Sequence, residues 1–393
     1  MDIKHLPRQF TPSPELMKNL LLLMVIGGAV TLVGIIFVPQ RAFASVLLAG
    51  YYLLGIGVAA AVFIALTSVT NAGWSTAIRR VPEAMLATLP VAGVVMMLAL
   101  FGVHSLYEWS HGDAVARDHM LQAKSAWLNV PFFVFRSVLF IGLWITYARY
   151  VARLSRNQDA TGDIRITKQI KTASAIFLVV LGTTFTLASM DWIMSLEPHW
   201  YSTIFGIYNF AGTFLNGLAS ITLVLILLKR MGPFEHILTD EHLHSLGKLI
   251  FAFSTFWMYI WFSQYMLIWY ANIPEEVVYM LNRQKGSWLV FTIINVVFNW
   301  VIPFVALLPA WTKMRPGFLL RVCIIIMIGH WIDLFWMILP PFMPSAPALN
   351  LWELAPVLAM VSAFFYFTFR SLARGNLIPI GDPMLVESLP GHP

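Results

Sequence analysis

The residues best suited to chemistry crowd into one stretch, Ser189-Met190-Asp191-Trp192-Ile193-Met194-Ser195-Leu196-Glu197-Pro198-His199-Trp200-Tyr201-Ser202, with two carboxylates, a histidine and three large aromatics. Carboxylates and imidazoles are the side chains that proteins most often use to move protons. The stretch lies between two apolar runs, 176–187 and 204–228, so Asp191 belongs by position to the end of a hydrophobic segment. A carboxylate there is costly and by default has a purpose. Three other ionisable groups sit inside apolar runs: Arg136, and the pair His330 and Asp333, which share a helix face at a spacing of three. His104, Glu108 and Glu353 come near the ends of such runs, and Tyr208, Gln264, Asn295 and Asn299 add polar groups within them.

The elements that must position these groups follow from composition. The chain is 59% hydrophobic and only 11% charged, with a mean hydropathy of +0.75. A soluble domain carries about 25% charged residues, so a soluble globule is excluded. Ten apolar stretches are long enough to cross a bilayer, at about 18–38, 43–70, 85–107, 127–152, 170–196, 201–228, 247–272, 286–311, 317–340 and 350–372. They are too long for strands, which predicts an all-α polytopic membrane protein of ten transmembrane helices. Residues 1–17 read as an N-terminal arm, 18–372 as the membrane domain and 373–393 as a C-terminal tail. The first run is followed by Ala42-Phe43-Ala44, as a signal peptide would be, but its length of about 20 residues exceeds a signal core and predicts a retained helix.

Orientation comes from Lys and Arg. Of 25, nineteen fall in the arm, the tail and the connections after helices 2, 4, 6 and 8. Five (Arg41, Arg117, Lys124, Arg283, Lys285) fall on the opposite side, and Arg136 lies within helix 4. The positive-inside rule puts both termini in the cytoplasm. The net charge of +6 is then topology and requires no nucleic-acid partner. Cys323 is the sole cysteine, so no disulfide, thiolate iron–sulfur cluster or covalently attached haem is expected within the chain.

On this layout Asp191, Asp333, Arg136 and His330 lie about 9, 10, 12 and 15 Å inside the periplasmic boundary. The cytoplasmic half holds no acid expected to be buried. One furnished leaflet points to a cavity or proton path open to the periplasm. Structural readings stand beside this one. Arg136 can simply neutralise Asp191 or Asp333, and His330 with Asp333 can be an interhelical hydrogen bond. His104 and His199 can be interfacial, Glu108 and Glu353 solvated, and the Trp and Tyr residues part of the aromatic belt. The loop 108–126 is long enough to fold over the mouth of a bundle, and 153–170 reads as a basic loop.

The pattern Asp191-Trp192-x-Met194-Ser195-Leu196-x-Pro198-x-Trp200-Tyr201-Ser202-x-x-Phe205-Gly206, with Trp261-Phe262-Ser263-Gln264-Tyr265 and His330-Trp331-Ile332-Asp333, resembles the NrfD-like family, the polysulfide-reductase membrane subunits. Within it the closest likeness is to the ActF branch of alternative complex III, a quinol:cytochrome c oxidoreductase. The resemblance covers essentially the whole chain. It implies two four-helix bundles, helices 2–5 and 6–9, with helices 1 and 10 outside, in the bacterial cytoplasmic (inner) membrane. Implied partners are a sister NrfD-like subunit, an iron–sulfur subunit and a multihaem cytochrome c. Haem and iron–sulfur clusters would belong to those partners, and the possible ligand here is a quinone, menaquinone or ubiquinone. Asp191, Arg136, His330, Asp333, His104 and Gln264 would line a proton path or quinone pocket, with Glu197 and His199 as the exit. Two alternatives are a structural scaffold within the same complex and a secondary transporter, whose site would sit at the midplane.

Overall fold

In the computed structural model residues 9–389 are described; residues 1–8 of the expected arm and 390–393 of the expected tail, including Lys4 and Arg8, lie outside them. The described chain is all helical, with ten helices long and apolar enough to cross a membrane. They are α1 (Pro14–Phe37), α2 (Pro39–Val69), α3 (Arg80–Phe101), α4 (Val130–Thr161), α5 (Ile164–Trp192), α6 (Phe205–Arg230), α7 (Asp240–Ala271), α8 (Trp288–Leu307), α9 (Pro316–Ile338) and α10 (Leu351–Leu372). Alternation of direction gives the bundle two ends. One collects the connections after the even-numbered spans up to α8 and most of the basic residues, and is called the basic end here. The other carries the 193–204 turn and is called the turn end.

Local chemistry sets the helix limits. Ser13 and Asn129 cap α1 and α4 by accepting the N–H of Leu16 and Phe132, and a proline follows each cap. Gly162 ends α4 with φ +65°, a left-handed turn that only glycine adopts freely. The expected 153–170 loop is therefore mostly helix: α4 runs on to Thr161 and α5 starts at Ile164. Arg and Gln are too polar to read as a span but tolerate a helix well.

Helices α2 and α6 are the inner pair, with 78% and 94% of their apolar windows buried, against 17% for α1. Helix α2 packs on α3, α5, α6 and α10; α6 packs on α2, α5, α7 and α9; α4 lies on α5, α8 on α7 and α9, and α1 on α10. The inner contact is close because α6 presents Gly217 to Ala59 of α2, where an added Cβ would lie 2.0 Å from that of Ala59. Large apolar side chains such as Val25, Ile36, Val179, Tyr259 and Leu267 remain exposed around the outside, as they do on a lipid-facing surface. The C-terminal segment does not hang free: Leu377 and Ile378 are buried, and Ser388 Oγ accepts from the Ala77 N–H at 3.0 Å.

One expectation about the basic end fails. Glu83 is buried there between Arg79 and Arg80, at 2.8 and 2.5 Å, while Arg79 also binds Asp382 (2.7 Å) and Arg80 binds Asp159 (2.5 Å). Ser155 Oγ donates to Glu83 at 2.7 Å. Acids are thus buried in both halves; at this end they form a closed network that holds α3, α4 and the C-terminal segment together.

Candidate functional site

Two of the buried carboxylates in the turn-end half, Asp191 and Asp333, differ in their surroundings. Asp191 lies in the last α-helical turn of α5, and Arg136 six residues into α4. Arg136 donates through Nε to Asp191 Oδ2 at 2.6 Å and through Nη2 to Oδ1 at 2.9 Å. Trp127 Nε1 donates to the same Oδ1 at 2.9 Å, and the Trp127 carbonyl accepts from Arg136 Nη1 at 3.1 Å. The guanidinium carbon lies 4.1 and 4.2 Å from the Trp127 and Phe132 ring centroids. Of the two partners open to Arg136 in the sequence, Asp191 is the one it takes, and both oxygens of that carboxylate carry donors.

Asp191 and Trp127 line a cavity of about 390 Å³ at the turn end, with Leu187, Met190, Met194, Trp200 and Tyr201 as its mostly apolar remainder. The 102–129 connection folds over the 193–202 turn, as its length allowed. Trp109 Nε1 donates to the Ser195 carbonyl at 3.2 Å, Lys124 Nζ to that of Pro198 at 2.5 Å, and His199 Nε2 meets Asp118 Oδ2 at 2.5 Å. That imidazole holds the Asp118 carboxyl below its ordinary value. Burial pushes the Lys124 ammonium down.

Asp333, on α9, has no guanidinium or ammonium partner among the described residues. Its donors are neutral: Tyr208 Oη on α6, Asn295 Nδ2 on α8 at 2.7 Å, and Trp257 Nε1 on α7 at 3.2 Å. Asp333 is 1% exposed. His330 Nδ1 lies 3.9 Å from Asp333 Oδ2, beyond hydrogen-bond reach, and has no partner among the described residues. Gly212 of α6 makes room for both, since a Cβ there would come 3.1 Å from His330 Nδ1 and 3.3 Å from Asp333 Oδ2.

More polar atoms surround this group. Thr213 Oγ1, Asn216 Nδ2, Gln264 Oε1 and Asn299 Oδ1 are buried with no protein partner. Such atoms are rare in a packed interior and mark places where water belongs. Pro303 helps to build this column. Having no N–H, it cannot bind the carbonyl four residues back; a π-helical turn, Val297–Val301, forms there, and the freed Asn299 carbonyl accepts from Ser254 Oγ at 2.6 Å. On the α2 side Tyr52 Oη bonds Asn216 Oδ1 at 3.0 Å and the Met327 carbonyl at 2.9 Å. Beyond Asn216, α6 continues toward the basic end with hydroxyls of Ser220 and Thr222 that bond only to their own helix.

The remaining sequence candidates fall outside these two groups. Glu197 does not form a free exit: Arg283 Nη2 donates to it at 2.5 Å. Arg283, counted in the sequence among loop charges, is fully buried, stacked 3.4 Å from the Tyr279 ring centroid and bonded to the carbonyls of Trp336 and Met337. His199 is exposed with Asp118, and His104 is exposed with Nδ1 3.1 Å from Ser110 Oγ. Glu353 is buried rather than solvated; it binds Arg41 at 2.8 Å and closes a capping box on α10 with Asn350. Tyr208, Asn295 and Trp257 acquire their importance only from the folded geometry. Their spacing along the chain carries no signal, although an Asn or Tyr within an apolar span is itself a pointer.

Fold and site together define a multi-pass helical membrane protein in whose spans Asp191 is paired to a cation and Asp333 is held by neutral donors. No protein-family model matches the chain, and no curated protein matches it.

Proposed function

We propose that the chain is an NrfD-like membrane subunit of a quinol:cytochrome c oxidoreductase of the alternative complex III type, in the bacterial cytoplasmic membrane with both termini in the cytoplasm. Its work is to carry away protons released when quinol is oxidised beside it, toward the periplasm. The observation that carries the reading is Asp333: a carboxylate in the membrane-spanning part, without a cation and ringed by Tyr208, Asn295 and Trp257 donors and unpartnered polar atoms. A carboxylate kept only for packing would be paired or replaced, because burying it costs too much. One that accepts and gives up a proton is served by neutral donors and polar neighbours of this kind.

The sidedness rests on the excess of Lys and Arg at the basic end. The neighbour pattern supports reading α2–α5 and α6–α9 as two four-helix bundles, flanked by α1 and α10. For a quinone ring, the residues that fit are those of the cavity beside Asp191, whose size and apolar walls suit a flat aromatic group. There Arg136 and Trp127 hold Asp191 in place, and Met190, Met194 and Trp200 supply apolar wall. Oxidation of a quinol releases two protons and two electrons; the electrons would leave through clusters of partner subunits, and Asp333 with His330 would take up protons. The polar column stops near Asn216 and Asn299, so we propose release to one side and not passage across the whole membrane. The closed Arg136–Asp191 pair favours a structural part for Asp191 within this scheme.

The test is to purify the tagged chain from its native membrane. Co-purification of c-type haem absorbance with quinol:cytochrome c reductase activity is expected. A chain that purifies intact without haem-bearing partners and without that activity contradicts the proposal.

A further inference from the structure

A second cavity, of about 520 Å³, opens at the basic end among α3, α4 and α10, away from both carboxylates. Arg149, Arg153 and Arg156 line it from α4, spaced four and three residues apart and so on one helix stripe. Arg370 and Arg374 face them from the end of α10. None of the five has an ion-pair or hydrogen-bond partner among the described residues; the Tyr366 ring, 5.9 Å from the Arg370 guanidinium, is the nearest compensation. The one carboxylate in the wall, Glu83, is already held by Arg79, Arg80 and Ser155 and adds no free negative charge.

The lining changes character along the helix axes. Nearer the middle of the spans it is apolar, with Ile145 on α4, Leu86 and Leu89 on α3 and Phe367 on α10. Nearer the end it is arginine. A soluble anion has no use for the apolar floor, and an acidic peptide has no use for its depth. A lipid with an anionic headgroup uses both, since guanidinium forks bind phosphate oxygens in pairs and acyl chains lie along apolar side chains. Basic pockets between helices on the cytoplasmic side are suited to such headgroups.

We propose that this cavity binds an anionic phospholipid, its phosphates on the five arginines and an acyl chain on the Ile145–Leu89–Phe367 floor. Five guanidinium groups exceed what one phosphate can engage, so a two-phosphate headgroup is preferred. The site is independent of the quinol reading and rests only on the membrane fold. Occupied, it would tie α4 to α10 over the buried Glu83 network.

The experiment is native mass spectrometry and lipid titration of the purified protein, with whatever subunits accompany it, after delipidation. Probes are diphosphatidylglycerol, phosphatidylglycerol, phosphatidylcholine and, as a free anion, pyrophosphate. Each arginine removed is expected to weaken binding about five-fold, so the triple variant Arg149→Gln/Arg153→Gln/Arg370→Gln should lose roughly a hundred-fold for diphosphatidylglycerol. The control Arg165→Gln/Lys168→Gln, with equally exposed charges at the same end, should bind as the parent does. Parental binding to the triple variant, equal binding of phosphatidylcholine, or full competition by pyrophosphate overturns the proposal. So does a partner protein's acidic segment covering the arginines with no lipid retained. The lipid ranking on the parent protein decides the matter even if the triple variant fails to assemble.

Discussion

Replacing Arg136 by methionine isolates the cost of one buried charge. The substitution removes two of the three side-chain donors to Asp191 and leaves its carboxylate with Trp127 Nε1 alone. Taking one partner from a buried pair destabilises by about 3–5 kcal/mol, because the survivor stays buried and uncompensated. The reverse change, Asp191→Asn, should cost less, about 2 kcal/mol. Asparagine still offers Oδ1 to Trp127 and Arg136, and the guanidinium keeps the Trp127 carbonyl at 3.1 Å and two aromatic faces near 4 Å. The double variant should cost less than the two single costs added, with a coupling of about 1–3 kcal/mol. Unfolding in mixed micelles by graded sodium dodecyl sulfate measures all four proteins. A variant Arg136→Met within about 0.5 kcal/mol of the parent, or Asp191→Asn the more damaged of the two, refutes the reasoning from these contacts.

Three further outcomes are expected. Gly217→Ala forces a Cβ to within 2.0 Å of that of Ala59 and should cost about 1–3 kcal/mol in the same unfolding assay, with Ala59→Gly restoring most of it. Ser254→Ala leaves the Asn299 carbonyl that Pro303 cannot satisfy without its donor; a loss of about 1–3 kcal/mol is expected, and none is expected if Pro303 is simultaneously replaced by alanine. The third concerns pH. Asp118 is held below its ordinary value of 3.8 by His199, so the folded state favours its charged form. The contact's contribution is present above that value and is lost as the pH falls below it. Protection of 108–126 against hydrogen exchange, relative to the intrinsic rate at each pH, should therefore fall on acidification, and Asp118→Asn should show the lowered protection at neutral pH.

Much of the fold was legible because a bilayer demands long apolar helices, and ten runs of that length are hard to mistake. What hydropathy could not see were helices that continue past the apolar part. Residues 153–161 are polar yet helical up to Gly162, and Arg283 lies in an amphipathic helix, Pro274–Gln284, whose stacked tyrosine hides the charge. Glu83 was missed as a buried acid, although it stands four and three residues after Arg79 and Arg80, a spacing that favours pairing on a helix. Asp191, Arg136, His330 and Asp333 were all identifiable as ionisable groups within spans. Which of them pair depends on helix rotation and neighbour choice, and a single sequence does not encode these in any local pattern. That is why Asp191, the more conspicuous acid in its aromatic motif, proves to be the paired one, and Asp333 the one left among neutral donors.

The most direct test of the proposed proton-carrying role is Asp333→Asn in the proposed quinol:cytochrome c oxidoreductase complex, purified and reconstituted into liposomes, with assembly verified by its subunit composition. Quinol:cytochrome c turnover and proton release into the external medium are followed together. Asparagine keeps the shape, and its one oxygen can still accept from Tyr208 and Asn295 while its amide nitrogen faces Trp257 Nε1, but it cannot take up a proton at neutral pH. The account predicts that turnover or proton release falls by at least about a hundred-fold while the complex stays intact. Turnover and proton yield equal to those of the parent would contradict it, and leave Asp333 a structural hydrogen-bond centre.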